Sequence, residues 1–185
     1  WQQSLFGFIK MSKLNVDQER AIKNAAELDG LSTVDRKTLL KMIYSQNEKD
    51  QVIKLFVDGA ADLHSKTAGI GGVIYSNDKE LSNFSEPLFD KTNNEAEYLS
   101  LIKGIEQLID LKVSSVDIFA DSELVVKQVL GIYKVKNERM KILHRLVLEK
   151  LKLIDQWNLV HIGREKNMRA DELSKLGMNK AKSKK

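Results

Sequence analysis

Cysteine is absent from all 185 residues. The chain has no disulfide framework and no thiolate chemistry, and a cytoplasmic address fits that composition. No apolar run approaches the ~20 residues of a membrane span, so no membrane association is expected. The opening stretch from Trp1 to Lys10 carries apolar residues but neither a basic leader nor a cleavage-site pattern, and does not read as a secretory signal. A starting methionine is also missing. The first residue is Trp1, which reads as a fragment or a processed chain, with Met11 as a candidate internal start. What is present is a 42% hydrophobic content, enough for one domain with a real core plus a small appendage. The net charge of +4 is mildly basic and suits a polyanion partner without demanding one.

Along the chain, residues 15–28 read as a helix that Asn15 and Gln18 cap and Gly30 stops. Residues 33–45 read as a second helix after Ser32, followed by the polar linker Ser45–Asp50. This hairpin, residues 1–50, carries no visible chemistry and is expected to be a packing or protein-docking appendage. Residues 51–178 form the main domain. A first strand through Leu55-Phe56-Val57 is followed by strands at Gly69–Ser76 and Glu80–Ser85, with Asn77-Asp78 as the turn between those two. Thr92-Asn93-Asn94-Glu95 opens a helix whose Tyr98, Leu101, Ile102, Ile105 and Leu108 recur at helical spacing. Ser115–Ala120 is a fourth strand. Helices follow at Glu123–Leu130 and about Glu138–Ile154, then a fifth strand at Trp157–Ile162 and a last short helix with Leu173 and Leu176. The segment from Lys175 onward holds five Lys and no acid, so disorder is expected there, and residues 179–185 read as a Lys-rich tail. The order describes an α/β fold with a five-stranded mixed sheet flanked by helices.

Four carboxylates stand at informative places. Asp58 follows a run of strand formers suited to a doubly covered sheet, where an ionised group is tolerated only if paired or metal-bound. Asp121 ends a strand that resembles the first. If those strands are parallel neighbours, both aspartates meet at their carboxyl ends, where ligands collect in α/β sheets. Glu97 lies in the first turn of its helix on the side of Leu101, and Gly104 two turns on lets that helix come close. Asp171 sits near the start of the last helix. Each has a plainer reading: a turn-opening Asp for Asp58, dipole compensation for Glu97, helix caps for Asp121 and Asp171. Together they imply repelling carboxylates that need hard cations, Mg²⁺ or Mn²⁺. Two such ions ~3.5–4 Å apart are the apparatus of in-line phosphodiester displacement.

The stretches FVDGAA (56–61), TNNEAEY (92–98), FADSELVVKQV (119–129), GIYKVKN (131–137) and HIGREKN-MR-AD (161–171) resemble type 1 ribonuclease H, in the compact branch without a long basic insertion. The resemblance spans about residues 51–178. It implies the ribonuclease H-like fold, metal ligation by Asp58, Glu97, Asp121 and Asp171, and hydrolysis of the RNA strand of RNA–DNA hybrids to 5′-phosphate and 3′-hydroxyl ends. It also implies that Asn93 and Asn94 touch the nucleic-acid strands and that Gly59 lets the RNA backbone approach. Double-stranded RNA is a further candidate substrate, and a monomer is expected.

Departures from the family pattern bear on substrate grip. Glu123 stands where many relatives have Gln, and only Tyr133, Lys134 and Lys136 represent the basic insertion. The loop Gly163–Ala170 lacks the His that some relatives place before the last Asp. Arg164, with a bidentate and permanently charged fork, is the favoured catalytic helper over His161, which lies earlier, in the fifth strand. His64 and His144 read as surface residues, Phe119 and Trp157 as core. Two alternatives compete: a different metal-dependent nuclease on this fold, which Ala60 two residues after Asp58 argues against, and a non-catalytic nucleic-acid-binding module, which the complete set of four carboxylates argues against.

Overall fold

The computed structural model describes residues 14–40 and 52–184, in a chain that divides after Gln51 into two units. In the first unit, helix α1 (Val16–Glu27) starts at a reciprocal capping box: the Asn15 side chain accepts from the Gln18 amide at 2.9 Å, and the Gln18 side chain accepts from the Asn15 amide at 2.8 Å. Gly30, at φ 87°, follows its end. Residues 33–40 form α2 behind Ser32, whose hydroxyl accepts from the Asp35 amide at 3.1 Å. The expected continuation of that helix to 45, the linker Ser45–Asp50, and the readings of Trp1–Lys10 and Met11 lie outside the described residues.

The second unit holds strands β1 (Ile53–Asp62), β2 (Thr67–Ser76), β3 (Lys79–Phe89), β4 (Ser115–Ala120) and β5 (Gln156–His161). Helices are α3 (Asn93–Asp110), α4 (Glu123–Val129), α5 (Glu138–Leu151) and α6 (Met168–Lys182), with a short 3₁₀ turn at Arg164–Lys166. The sheet order is β3-β2-β1-β4-β5. β1, β2 and β3 form an antiparallel meander, while β4 and β5 run parallel to β1, giving the expected mixed sheet. Asn77 and Asp78 both take positive φ, 48° and 64°, which is the turn geometry that matches the twist of a tight hairpin.

One sheet face carries the core. Ile53, Leu55 and Val57 of β1 and Val116 and Ile118 of β4 cluster with Leu101, Ile105 and Leu108 of α3, each at most 7% exposed. Burial of such a side chain contributes about 1.5–3 kcal/mol. A Cβ on Gly104 would press into Leu55 and Val57 at 2.8 and 3.0 Å, so the glycine sets how near α3 lies to β1. Tyr98 donates to Gln128 Oε1 at 2.8 Å in this core, and burial pushes its phenol up to about 12.

Helix α6 covers the other face, against β2. Here two expectations fail. The last helix is not short, and the lysine-rich end is not a disordered tail: α6 runs 15 residues to Lys182, and Ala181 is fully buried. Ala170, Ser174, Gly177 and Ala181 form a buried seam of small residues along one side of the helix. That seam lies on Gly69 and Gly71 of β2, where an added Cβ would overlap the α6 backbone. The lysines sit outside it: Lys180 donates to the Ser85 carbonyl at 3.1 Å and Lys182 pairs with Asp62 at 2.8 Å. Strand β3 also runs past Ser85 to Phe89, with Pro87 tolerated because β3 is an edge strand. Trp157 packs against the core as expected. Phe119 does not; it is half-buried and stacks on Phe56 at 4.7 Å. No described helix is long and apolar enough to cross a membrane.

Candidate active site

The parallel register of β1 and β4 ends with Val57 beside Ala120. The next residues are Asp58 and Asp121. Strand β4 stops there, while β1 continues to Asp62, held only by β2. A gap therefore opens on one side of Asp58, and the turn-opening reading of that residue fails. Asp121 is not a cap, since Ser122 holds the N-cap position of α4.

Glu97 enters from α3. It belongs to the second turn, not the first as expected. The first-turn role is taken by Glu95, which accepts from the amide and hydroxyl of Thr92, both at 2.9 Å. Burial pushes Glu95 up, yet these bonds outweigh it and hold the carboxyl below its usual range. Glu97 accepts from the Gly59 amide at 3.2 Å. A Cβ on Gly59 would overlap the backbone of Ala96 and Glu97, so this glycine serves the approach of α3 to β1. That is a reason for the missing side chain which the expectation of a nucleic-acid backbone beside Gly59 did not include.

One oxygen from each of Asp58, Glu97 and Asp121 lies within 4.8 Å of the other two. Asp58 and Glu97 are 6% and 5% exposed. Burial pushes Glu97 up to about 9, with the charges of Asp58 and Asp121 adding and the Gly59 amide and Arg164 opposing. Burial also raises Asp58 to about 6; the Ser174 hydroxyl opposes this, and Asp121 and Asp171 reinforce it. A buried, self-repelling set of carboxylate oxygens is a donor set for a hard divalent cation, whose charge relieves both costs.

Asp171 stands apart from this group. It is the fourth residue of α6, its side chain 38% exposed, and its Oδ2 accepts from Lys175 at 2.7 Å. The structure thus brings together three of the four expected carboxylates, and the fourth is compensated by its own helix. Arg164 lies 3.8 Å from Asp121 Oδ2 through Nε, with its side chain 85% exposed. His161 ends β5 in register with Ala120, exposed, and its charge acts on Glu123. Asn93 and Asn94 are exposed at the start of α3. Tyr133, Lys134 and Lys136 are exposed after α4, with Lys127 seated 4.9 Å over the Tyr133 ring. His64 is exposed as expected, whereas His144 is half-buried, its Nε2 3.0 Å from the Gln128 carbonyl.

Two residues beside the site had no role assigned from sequence. Asn167, 1% exposed, donates to the Val57 carbonyl at 2.9 Å, and its own carbonyl accepts from the Asp171 amide at 3.0 Å. It ties the end of β1 to the start of α6; a polar residue just ahead of a helix with Asp171 in its first turn was the available signal. Ser174 donates to Asp58 Oδ2. Its position three residues after Asp171 gave no such signal.

A mixed sheet with buried carboxylates at the ends of adjacent parallel strands defines a ribonuclease H-type domain, and places the chain among enzymes of that type. The family model described as reverse transcriptase-like matches residues 56–177, and the chain belongs to that family. It is similar to ribonuclease HI of Halobacterium salinarum, 28% identical over 74% of this chain and 69% of that protein. The N-terminal ribonuclease H domain of Rv2228c from Mycobacterium tuberculosis is 26% identical with a TM-score of 0.69, covering 72% of this chain and 98% of that one. LC11-RNase H1, solved in complex with an RNA/DNA hybrid, is 34% identical with a TM-score of 0.65, covering 70% and 98%. The resemblance to type 1 ribonuclease H read from the motifs therefore stands.

Proposed function

We propose that the unit from Val52 onward is an endonuclease that hydrolyses the RNA strand of RNA–DNA hybrids, with Mg²⁺ as cofactor and Mn²⁺ as a substitute. The observation that carries this reading is the trio Asp58, Glu97 and Asp121, gathered within 4.8 Å beyond the β1 and β4 ends. Relatives called ribonuclease HI, and one solved with a hybrid, support the substrate. Two cations held by the trio and Asp171 would supply an activated water and neutralise the charge that develops on the leaving oxygen.

The chain's own residues do the rest. Asn93, Asn94 and the backbone at Gly59 hold the strands beside the trio, and Tyr133, Lys134 and Lys136 touch the backbone farther along. Arg164 meets a phosphate oxygen with its fork. Water oxygen bonds to phosphorus, the bond from phosphorus to the 3′-oxygen breaks, and that oxygen takes up a proton. The products are a 5′-phosphate and a 3′-hydroxyl.

The test is a gel assay with labelled RNA–DNA hybrid, double-stranded RNA and double-stranded DNA, each with Mg²⁺, Mn²⁺ or EDTA. The expected result is cleavage of the RNA strand of the hybrid with either cation and none with EDTA. Binding of the hybrid without cleavage under all three conditions would overturn the reading in favour of a non-catalytic module.

A further inference from the structure

The sheet and α6 meet backbone to backbone beside the carboxylate trio. Gly71 of β2 is the register partner of Asp58 on β1. A Cβ on Gly71 would overlap the Ser174 nitrogen and the Ala170 carbonyl. Backbone therefore lies against backbone, and Ser174 is fully buried over the strand pair. From there its hydroxyl donates to Asp58 Oδ2, while the same oxygen is 2.9 Å from the Asp171 carbonyl three residues back. One hydroxyl proton is thus shared between the carboxylate of the first aspartate and the backbone of the fourth.

The geometry points to Ser174 as the positioning residue that fixes the Asp58 carboxylate for cation binding. The inference rests on the metal-dependent reading above and deepens it. Rotation of an Asp carboxylate about χ2 is broad and only weakly restrained by its own stereochemistry. Three carboxylates that repel one another turn apart unless something outside the group holds them. Glu97 is held by the Gly59 amide and Asp58 by Ser174. The hydroxyl occupies one oxygen of Asp58, defines the carboxylate plane, and carries no charge to compete with a cation. Alanine would fit this seam equally well but could not donate. Outer partners of this kind typically set metal affinity or activity by about 10- to 100-fold. Ser174 touches no substrate in this arrangement, so its loss acts on cation affinity and turnover and spares hybrid binding.

The experiment compares the parent chain with Ser174→Ala and with Ser174→Cys, which keeps a weak donor in nearly the same volume. Mn²⁺ is titrated calorimetrically into metal-free protein without nucleic acid, melting is followed without metal, and kcat and KM are measured on the hybrid at saturating Mg²⁺. The expected result for Ser174→Ala is a roughly tenfold weaker Mn²⁺ dissociation constant and a several-fold lower kcat. KM is unchanged, and Ser174→Cys is intermediate. A Mn²⁺ dissociation constant within twofold of the parent in Ser174→Ala overturns the proposal, whatever happens to the melting temperature, and leaves Ser174 a packing residue. A parent chain that binds Mn²⁺ and cleaves hybrid alongside such a variant refutes Ser174 alone. A parent that binds no cation refutes the metal-dependent reading together with it.

Discussion

The carboxylates of the site fall into two environments. Asp58 and Glu97 are buried, the Asp121 side chain is 4% exposed, and the three face one another, with burial and mutual repulsion pushing two of them upward. Asp171 is half-exposed on α6 and paired with Lys175 one turn later, although its charge still reaches Asp58. A carboxylate on a helix can meet a cation four residues away at little cost. Asp58 and Asp121 at strand ends have no such neighbour, and Glu97, though on a helix, has Leu101 four residues on. The first kind compensates itself, whereas the second awaits a cation from outside.

The widest separation of the two kinds is expected in catalysis. Asp58→Asn or Asp121→Asn should lower hybrid cleavage by more than about a thousandfold. Asp171→Asn should cost only roughly ten- to a hundredfold. Equal losses in single-turnover assays would erase the distinction. Cations sharpen the contrast next. Arg164 lies 3.8 Å from Asp121, so Arg164→Ala should lower kcat by more than about tenfold, with His161→Ala milder and removing no ionisation from the rate profile. A larger effect of His161→Ala would exchange their roles.

Stability against pH separates the two environments without any substrate. Glu97 has a folded pKa of about 9 against an ordinary value of 4.5, and Asp58 about 6 against 3.8. Both are raised, so the unfolded chain ionises first. Their penalty is absent below the ordinary values and grows as pH rises, Asp58 up to about 6 and Glu97 up to about 9. Metal-free protein should lose melting temperature across that window. Glu97→Gln should gain several degrees at pH 8 and flatten the profile, and excess Mg²⁺ should do the same for the parent. A flat profile in metal-free parent protein would contradict the assigned burial. Lys134→Ala with Lys136→Ala should weaken hybrid binding at low salt and reduce the salt slope by about 0.9 per lost phosphate contact, leaving kcat unchanged. The smallest effect is expected at Lys175→Ala, which removes an exposed pair and should leave the melting temperature nearly unchanged.

Much of this site was legible before any coordinates. Asp58 and Asp121 follow strand-forming runs of similar pattern, and parallel pairing was enough to bring them together. Glu97 shares a helix side with Leu101, which turns it toward the sheet. Asp171 was legible as a residue and not as a neighbour, because its separation from the trio depends on where α6 lies, and its pairing with Lys175 depends on which side of that helix faces water. The lysine-rich end misled for a related reason. Composition records charge, whereas the seam of Ala170, Ser174, Gly177 and Ala181 counts only once a glycine-bearing strand is known to lie beneath it.

The amino-acid sequence by itself determined the element order, the hairpin turn at Asn77-Asp78, the capped start of α3 and the identity of the carboxylates. These depend on local propensities, hydrogen bonds a few residues long and periodicity. Only the tertiary structure decided that Gly59 admits α3, that Gly71 admits α6, and that Ser174 comes to Asp58 across 116 residues of chain. Such contacts depend on backbone-to-backbone distances between separate layers, set by the combined packing of many side chains, and no local signal in the chain carries them.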